Sequence, residues 1–272
     1  MSNTFFNNEN MPDFSPLIET IKGIQERMKP ITDVVVKFEE IMRPLRVIAE
    51  SVQVRIKEIA VALSEAMRPL CAAVRLGEAQ YVYWNYMTSE FIDAIIDSKN
   101  VNKTLREFIV QDKFKAVDDA IEKCRANSYM NCYTRMFDQS VTAFKNGQSD
   151  LAVVGFTSII DGLLTDISGN HTTKIATRAC AIMDKFEQNE TVDSDEYALI
   201  ILMLTFQKTM ESFSANSDFK GKEPKGLNRH WIMHGRTKRR KTKLDCVKLI
   251  NFIYGILLID EFGKNEEREN EI

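Results

Sequence analysis

Residues 151–167 read LAVVGFTSIIDGLLTDI, and this stretch decides the fold class. Its apolar side chains fall on nearly every side of a helix, so neighbouring elements must cover most of its surface. Residues 197–206, YALIILMLTF, have the same character. The sequence therefore predicts an all-α fold, in which long N-terminal amphipathic helices precede a C-terminal helical bundle over residues 141–263.

Apolar spacing and turn residues predict the individual helices of this fold. The chain has only 11 glycines and 6 prolines, which is typical of long helices and argues against a sandwich or barrel. The predicted helices cover Glu90–Asp97, Val101–Ala126, Ser128–Lys145, Leu151–Ile167, Lys174–Phe186, Asp193–Phe213 and Leu244–Phe262.

The regions outside the bundle carry weaker signals. Apolar residues recur at steps of three and four between Phe14 and Leu76, which predicts a coiled-coil-like arm, or alternatively a sensor for a protein trigger or antitoxin. The aromatic cluster Tyr81–Tyr86 favours packing over base stacking. The predicted domains are a disordered tail (1–13), the helical arm (14–78), connecting helices (79–140), the bundle (141–263) and a charged tail (264–272).

Composition and charge favour a soluble cytoplasmic protein with one cationic segment. The net charge is −3, yet residues 220–248 hold 11 Lys or Arg against 2 acidic residues, a local charge of +9. The five cysteines form no Cys-x-x-Cys pair, so neither a disulfide framework nor a zinc knuckle is expected. No signal sequence is recognised, and the apolar stretch Cys246–Ile259 is too short to span a bilayer.

The stretch NRHWIMHG, residues 228–235, contains two of the three histidines of the chain. His230 and His234 share a helix face, a spacing that metal ligands use. A zinc protease, however, needs Glu after the first histidine, where this chain has Trp231. No third ligand lies nearby in sequence, so no metal or other cofactor is expected.

Arg229 and His234 together offer the chemistry of metal-independent RNA cleavage. A histidine near neutral pH can take the proton of a ribose 2′-hydroxyl, and a guanidinium can stabilise the charge that builds on the phosphate. Five residues apart on a helix, the two side chains point about 140° away from each other. We therefore expect a site near a helix start, or one completed by a second copy of the chain.

The segment Arg229-His230-Trp231-Ile232-Met233-His234 resembles the R-x4-6-H motif of the HEPN superfamily. The resemblance implies a HEPN domain over about Val141–Phe262, with the motif at the start of a long helix. It implies a composite ribonuclease site in a homodimer or larger homo-oligomer, formed by Arg229 and His234. Asn228 or His230 would assist, and Asp161, a lone carboxylate in an apolar helix, would position the motif. Members often act as toxins or abortive-infection effectors against phage.

Six cations follow the motif, and we predict that they bind RNA, tRNA being one candidate. A solvated loop is the alternative interpretation of such a charge run. They are Arg236, Lys238, Arg239, Arg240, Lys241 and Lys243.

Two other functions remain open on the sequence alone. The first is a HEPN module that binds RNA, nucleotide or a protein without catalysis. The second is a structural protein whose coiled-coil arm is the functional part. Burial of His234 among apolar side chains would favour the structural protein over the ribonuclease.

Overall fold

A computed structural model of the chain describes residues 67–82, 88–172, 174–183, 194–215 and 219–269. All of these except Met67 belong to one compact unit, Arg68–Ile272. The predicted tail over residues 1–13 and the predicted arm up to residue 66 lie outside the described residues, as do Tyr83–Tyr86 of the aromatic cluster.

The described residues form helices and connecting loops without any strand, which confirms the predicted all-α class. Helix α1 is described from residue 67 and ends at residue 78, and a 3-10 helix at Ser128–Cys132 lies between α4 and α5. The other helices are α2 (Ser89–Asp97), α3 (Val101–Gln111), α4 (Lys115–Ala126), α5 (Thr134–Lys145), α6 (Ser149–Ser168), α7 (Ile175–Met183), α8 (Ser194–Phe213), α9 (Arg229–Met233) and α10 (Lys243–Glu269).

Helix α6 is the centre of the bundle, because it contacts α5, α7, α9 and α10. Its side chains Phe156, Ile160 and Leu163 are fully buried, and each contributes about 1.5–3 kcal/mol through removal of apolar surface from water. Helix α10 adds a second apolar layer, in which Phe252 makes edge contacts with Phe206 and Phe213 of α8. The site described below is built on the outer face of α6.

The hydrophobic core also includes residues that precede residue 141, where the predicted bundle begins. Ala72, Leu105 and Ile121 belong to the same buried cluster as Ile160 and Ile259. Helix α10 contacts α4 directly. The helices between residues 79 and 140 therefore contribute side chains to the same buried core.

The single helix predicted over residues 101–126 is wrong, because the chain forms two helices there. Lys113 and Phe114 have φ angles of 53° and 62°, so helix α3 ends before them and α4 starts after them. The Asp112 carboxylate accepts a hydrogen bond from the Ala116 N–H at 2.7 Å, which satisfies one of the N–H groups in the first turn of α4. The aromatic ring of Phe114 packs beside that of Phe144.

Among the described helices, α6 is long and apolar enough to cross a lipid bilayer. Half of the apolar window in this helix is buried inside the bundle. A helix covered by neighbours on most sides requires that composition.

Candidate functional site

Asn228 fixes the start of the short helix α9. Its Oδ1 accepts a hydrogen bond from the Trp231 N–H at 3.1 Å, as an N-cap does. Its Nδ2 donates to the carbonyls of Ala215 at 2.8 Å and Ser212 at 3.3 Å. The side chain is buried and fully used. Asn228 therefore supports the motif by holding the backbone in front of Arg229.

Helix α9 ends at Met233 and the chain turns at Gly235, so the motif does not start a long helix as the resemblance implied. Gly235 has a φ of 63°, the left-handed conformation that ends helices. The Arg236 N–H donates back to Trp231 O at 2.9 Å, and the Gly235 N–H donates to Ile232 O at 3.1 Å. The long helix α10 starts separately, after Thr242.

The side-chain amide of Gln80 forms hydrogen bonds with both backbone groups of Leu227, just before the motif. Its Oε1 accepts from the Leu227 N–H at 2.5 Å, and its Nε2 donates to the Leu227 carbonyl at 2.6 Å. The same Nε2 donates to Ser212 Oγ at 2.8 Å. A β-carbon on Gly226 would lie 2.5 Å from Gln80 Oε1, so only glycine leaves room for this contact.

Substitution of Gln80 should test this clamp. We expect Gln80→Ala to lower the free energy of unfolding by about 3 kcal/mol, because the buried N–H and carbonyl of Leu227 lose their partners. Gln139, which is exposed on α5, provides the matched control, and Gln139→Ala should change stability by less than about 0.5 kcal/mol. The measurement is equilibrium urea denaturation. Equal stability of the two variants would contradict the role given to Gln80.

The carboxylate of Asp161 joins two arginines at the outer face of α6. Its Oδ2 accepts from Arg229 Nη2 at 2.9 Å, and its Oδ1 accepts from Arg178 Nη2 at 2.5 Å. Arg178 Nη1 also donates to the Asp161 carbonyl at 2.6 Å and to Thr165 Oγ1. The Arg229 guanidinium is thus held by a carboxylate that is itself oriented by a second cation.

Sequence reasoning missed Arg178, whose side chain is only 5% exposed. A lone cation within the apolar helix Ile175–Met183 was the available signal. A buried cation needs a counter-ion, and Asp161 is the carboxylate in the middle of the apolar helix α6. The two signals lie 17 residues apart, and only the fold shows that they meet.

Arg229 keeps part of its hydrogen-bonding capacity for a ligand. Its side chain is 24% exposed, and its contact with Asp161 uses Nη2 alone. Its Nε is buried without a hydrogen-bond partner among the described residues. The guanidinium is therefore anchored at one end, and its second Nη group remains a possible donor to a phosphate.

Three aromatic rings, those of His230, His234 and Phe219, form a cluster that starts at the residue after Arg229. The His230 and Phe219 rings are stacked, with centroids 4.4 Å apart and planes inclined by 2°. The His234 ring meets His230 edge-on at 4.6 Å. His234 is exposed, so the burial that would have favoured a purely structural role is not found.

The environment of His230 favours its neutral form. Partial burial lowers the pKa of His230 below its usual value, and electrostatic repulsion from its neighbours His234 and Arg229 lowers it further. Arg229 and His234 themselves contact different partners, Asp161 for the former and the ring cluster for the latter. One chain therefore carries the guanidinium and the imidazole, but the described contacts do not bring the two groups together.

The cationic loop after the motif, residues 236–243, folds around the carboxylate of Glu223. Glu223 accepts hydrogen bonds from the Lys238 N–H at 2.7 Å, the Arg239 N–H at 3.1 Å and Thr237 Oγ1. Burial alone would raise the pKa of Glu223, but these hydrogen bonds and the Lys241 charge lower it overall. Hydrogen bonds to Glu223 therefore hold the backbone of the loop in place.

Two of the six cations predicted to bind RNA form ion pairs within the protein. The Lys241 side chain is 2% exposed and lies 3.5 Å from Glu223, and burial lowers the pKa of its amine. Arg239 donates to both Asp245 oxygens, at 3.0 and 3.2 Å. The exposed members are Arg236, Lys238, Arg240 and Lys243.

Arg240 and Lys243 line a cavity of about 500 Å³ between the loop and the start of α6. Ser149 and Thr242 also line it, so the N-terminal ends of α6 and α10 meet there. Asp150 lines the same cavity and accepts from the Lys241 N–H at 2.9 Å.

Within the described ranges, no three His, Cys, Asp or Glu side chains are close enough to hold a metal ion together. Comparisons with family models, with curated proteins and with solved structures find no match to this chain.

Proposed function

We propose that the chain is a metal-independent endoribonuclease of the HEPN type, acting on cytoplasmic RNA as a toxin or anti-phage effector. The observation that carries the proposal is the Arg229 guanidinium anchored on Asp161, whose other oxygen pairs with Arg178, at the start of the short helix that leads to the exposed His234. An arginine oriented in advance suits stabilisation of a transition state, because it needs no rearrangement when charge develops.

In the proposed reaction, a His234 imidazole takes the proton of a ribose 2′-hydroxyl. The 2′-oxygen attacks the adjacent phosphorus, and the bond from phosphorus to the 5′-oxygen breaks. The Arg229 guanidinium donates to the phosphate oxygens while their charge increases. The leaving 5′-oxygen takes a proton from a second imidazole, so the products are a 2′,3′-cyclic phosphate and a 5′-hydroxyl.

A second copy of the chain would complete this site. Within the described residues Arg229 contacts Asp161 whereas His234 contacts the ring cluster, so a second copy would be needed to place one motif's arginine beside the other's histidine. Exposed apolar side chains lie on the same face of α6 and α9: Leu151 is 66% exposed, Val154 is exposed, and Met233 lies beside Ser158. Association of two copies of the chain through these side chains would bury this apolar surface and bring the two motifs together.

The four exposed cations should determine how RNA binding depends on salt. We expect the double variant Arg240→Ala/Lys243→Ala to reduce the slope of log K against log salt by about 1.4, since each lost contact with single-stranded RNA removes about 0.7. The measurement is fluorescence anisotropy of labelled RNA over a salt series. Lys103→Ala/Lys115→Ala, which removes two exposed lysines of other helices, is the matched control. An unchanged slope in the first variant would show that RNA does not contact this loop.

Incubation of the purified protein with total RNA and tRNA in EDTA tests the proposal. We expect RNA fragments with the unaltered protein and none with His234→Ala. The variant should keep its melting temperature, because His234 is an exposed residue beyond the helix end. Equal cleavage by both proteins would refute the assignment of His234.

The ion pair between Arg229 and Asp161 favours one alternative, a HEPN module that binds RNA without cutting it. In that case, Arg229 would serve to hold α9 on α6. The protein would then bind RNA in a salt-sensitive manner and release no product.

A further inference from the structure

We infer that Phe219, His230, His234 and Arg236 form a subsite that stacks one unpaired nucleobase of the RNA substrate. This inference rests on the proposed function, because it assumes that RNA reaches Arg229. It goes further by naming the substrate class, which is single-stranded RNA or the unpaired loop of a folded RNA.

The four side chains form one layered surface. Phe219 stacks on His230, and the His234 ring meets Phe219 edge-on with the two centroids 5.5 Å apart. The Arg236 guanidinium lies over the same ring, 5.4 Å from its centroid. Planar aromatic and guanidinium groups are the surfaces on which proteins stack unpaired bases.

Buried Trp231 supports this surface from below. The Trp231 ring meets Phe219 edge-on at 5.5 Å and is itself 4% exposed. The rings above it are only half-buried, and His234 and Arg236 are exposed. Because the supporting ring is fixed in the core, the exposed rings are already oriented before a ligand binds.

The charge of Arg236 also points to a ligand. The ion pairs of the described residues engage Arg239 and Lys241 of the same loop but not Arg236. Its guanidinium instead lies over an aromatic ring at the surface. A planar cation in that position can stack against a base and attract the neighbouring phosphate.

The position of the surface relative to Arg229 sets the substrate class. His230 follows Arg229 directly, so their side chains leave α9 about 100° apart. A base on the ring surface would therefore belong to a nucleotide next to the phosphate that Arg229 binds. Duplex bases are covered by their own neighbours and cannot reach such a surface, whereas every unpaired base has a free face.

The test uses short single-stranded oligonucleotides that cannot be cleaved because they carry 2′-deoxyribose throughout. Each contains one 2-aminopurine, at a different position, and stacking of this base quenches its fluorescence. We expect quenching at one position with the unaltered protein, and none with a duplex of the same sequence. Phe219→Leu and Arg236→Lys should abolish that quenching and weaken single-strand binding about 5- to 100-fold.

Arg106→Lys is the matched control, because it makes the same change at an exposed arginine of α3, outside both the ring cluster and the cationic loop. Arg236→Lys keeps the charge and removes only the planar group, so electrostatic binding stays comparable. It also keeps the test valid if Phe219→Leu proves unstable, since Arg236 is exposed. Quenching at no position, or equal quenching in Arg236→Lys and Arg106→Lys, would overturn the inference.

The two proposals fail in different ways. Cleavage of RNA without any quenching of the oligonucleotides would leave the ribonuclease and remove the stacking subsite. Quenching that depends on Arg236, without cleavage of any RNA, would support the subsite and remove the catalytic proposal.

Discussion

Arg229→Ala should lower the rate of RNA cleavage by about 10²- to 10³-fold, the usual cost of removing a donor that stabilises transition-state charge. Arg229 is the guanidinium that Asp161 orients, and its remaining Nη group is the candidate donor to the phosphate. The loss should appear mainly in kcat, because the interaction strengthens only as charge develops on the phosphate. The measurement is single-turnover cleavage of a labelled RNA in EDTA.

Arg229→Lys and Arg106→Ala are the controls for this prediction. A lysine has a single ammonium group and cannot bind Asp161 and a phosphate through two separate nitrogens, as a planar guanidinium can. Arg229→Lys should therefore recover little activity. Arg106 is an exposed arginine of α3, and its loss should leave the rate unchanged. If Arg229→Ala retains the rate of Arg106→Ala, the guanidinium has no catalytic role.

Arg178→Leu should lower the free energy of unfolding by about 3–5 kcal/mol, because it leaves a half-buried carboxylate without its inner partner. Arg178 is almost completely buried and gives hydrogen bonds to the carboxylate and the carbonyl of Asp161. For a unit of this size, that loss corresponds to a decrease in melting temperature of roughly 10 °C. Thermal denaturation followed by circular dichroism measures it.

Arg125 provides the matched control for the effect of burial. It also pairs with two carboxylates, those of Glu122 and Asp138, but on the exposed surface. Arg125→Leu should therefore cost at most about 1 kcal/mol. Adding Asp161→Asn to Arg178→Leu should restore part of the lost stability, because the buried charge is then removed as well. Equal effects of the two arginine variants would show that burial does not strengthen the Asp161 pair.

The apolar pattern predicted the parts of the fold that depend on burial. The helices over residues 90–97 and 151–167 were predicted within two residues of the observed bounds, because each has an apolar face or surface that only a helix can bury. The break at Lys113 and Phe114 was missed, since neither residue type signals a left-handed turn. Long-range packing determines that break, and a local pattern does not contain it.

The site could be predicted only where a residue contradicts its local surroundings. Asp161 stands out as a carboxylate in an apolar helix, and its ion pairs with Arg178 and Arg229 account for it. Gln80 gave no such signal, because its partner Leu227 lies 147 residues away. The cationic run likewise did not distinguish buried Lys241 from exposed Arg240, since the difference depends on how the loop folds onto Glu223.

Identification of the ends of the RNA fragments tests the central claim most directly. The fragments made in EDTA should carry a 2′,3′-cyclic phosphate on one side of the cut and a 5′-hydroxyl on the other. They should be absent with Arg229→Ala and with His234→Ala. Fragments with 3′-hydroxyl ends, cleavage that requires a divalent metal, or equal fragments from both variants would contradict the account.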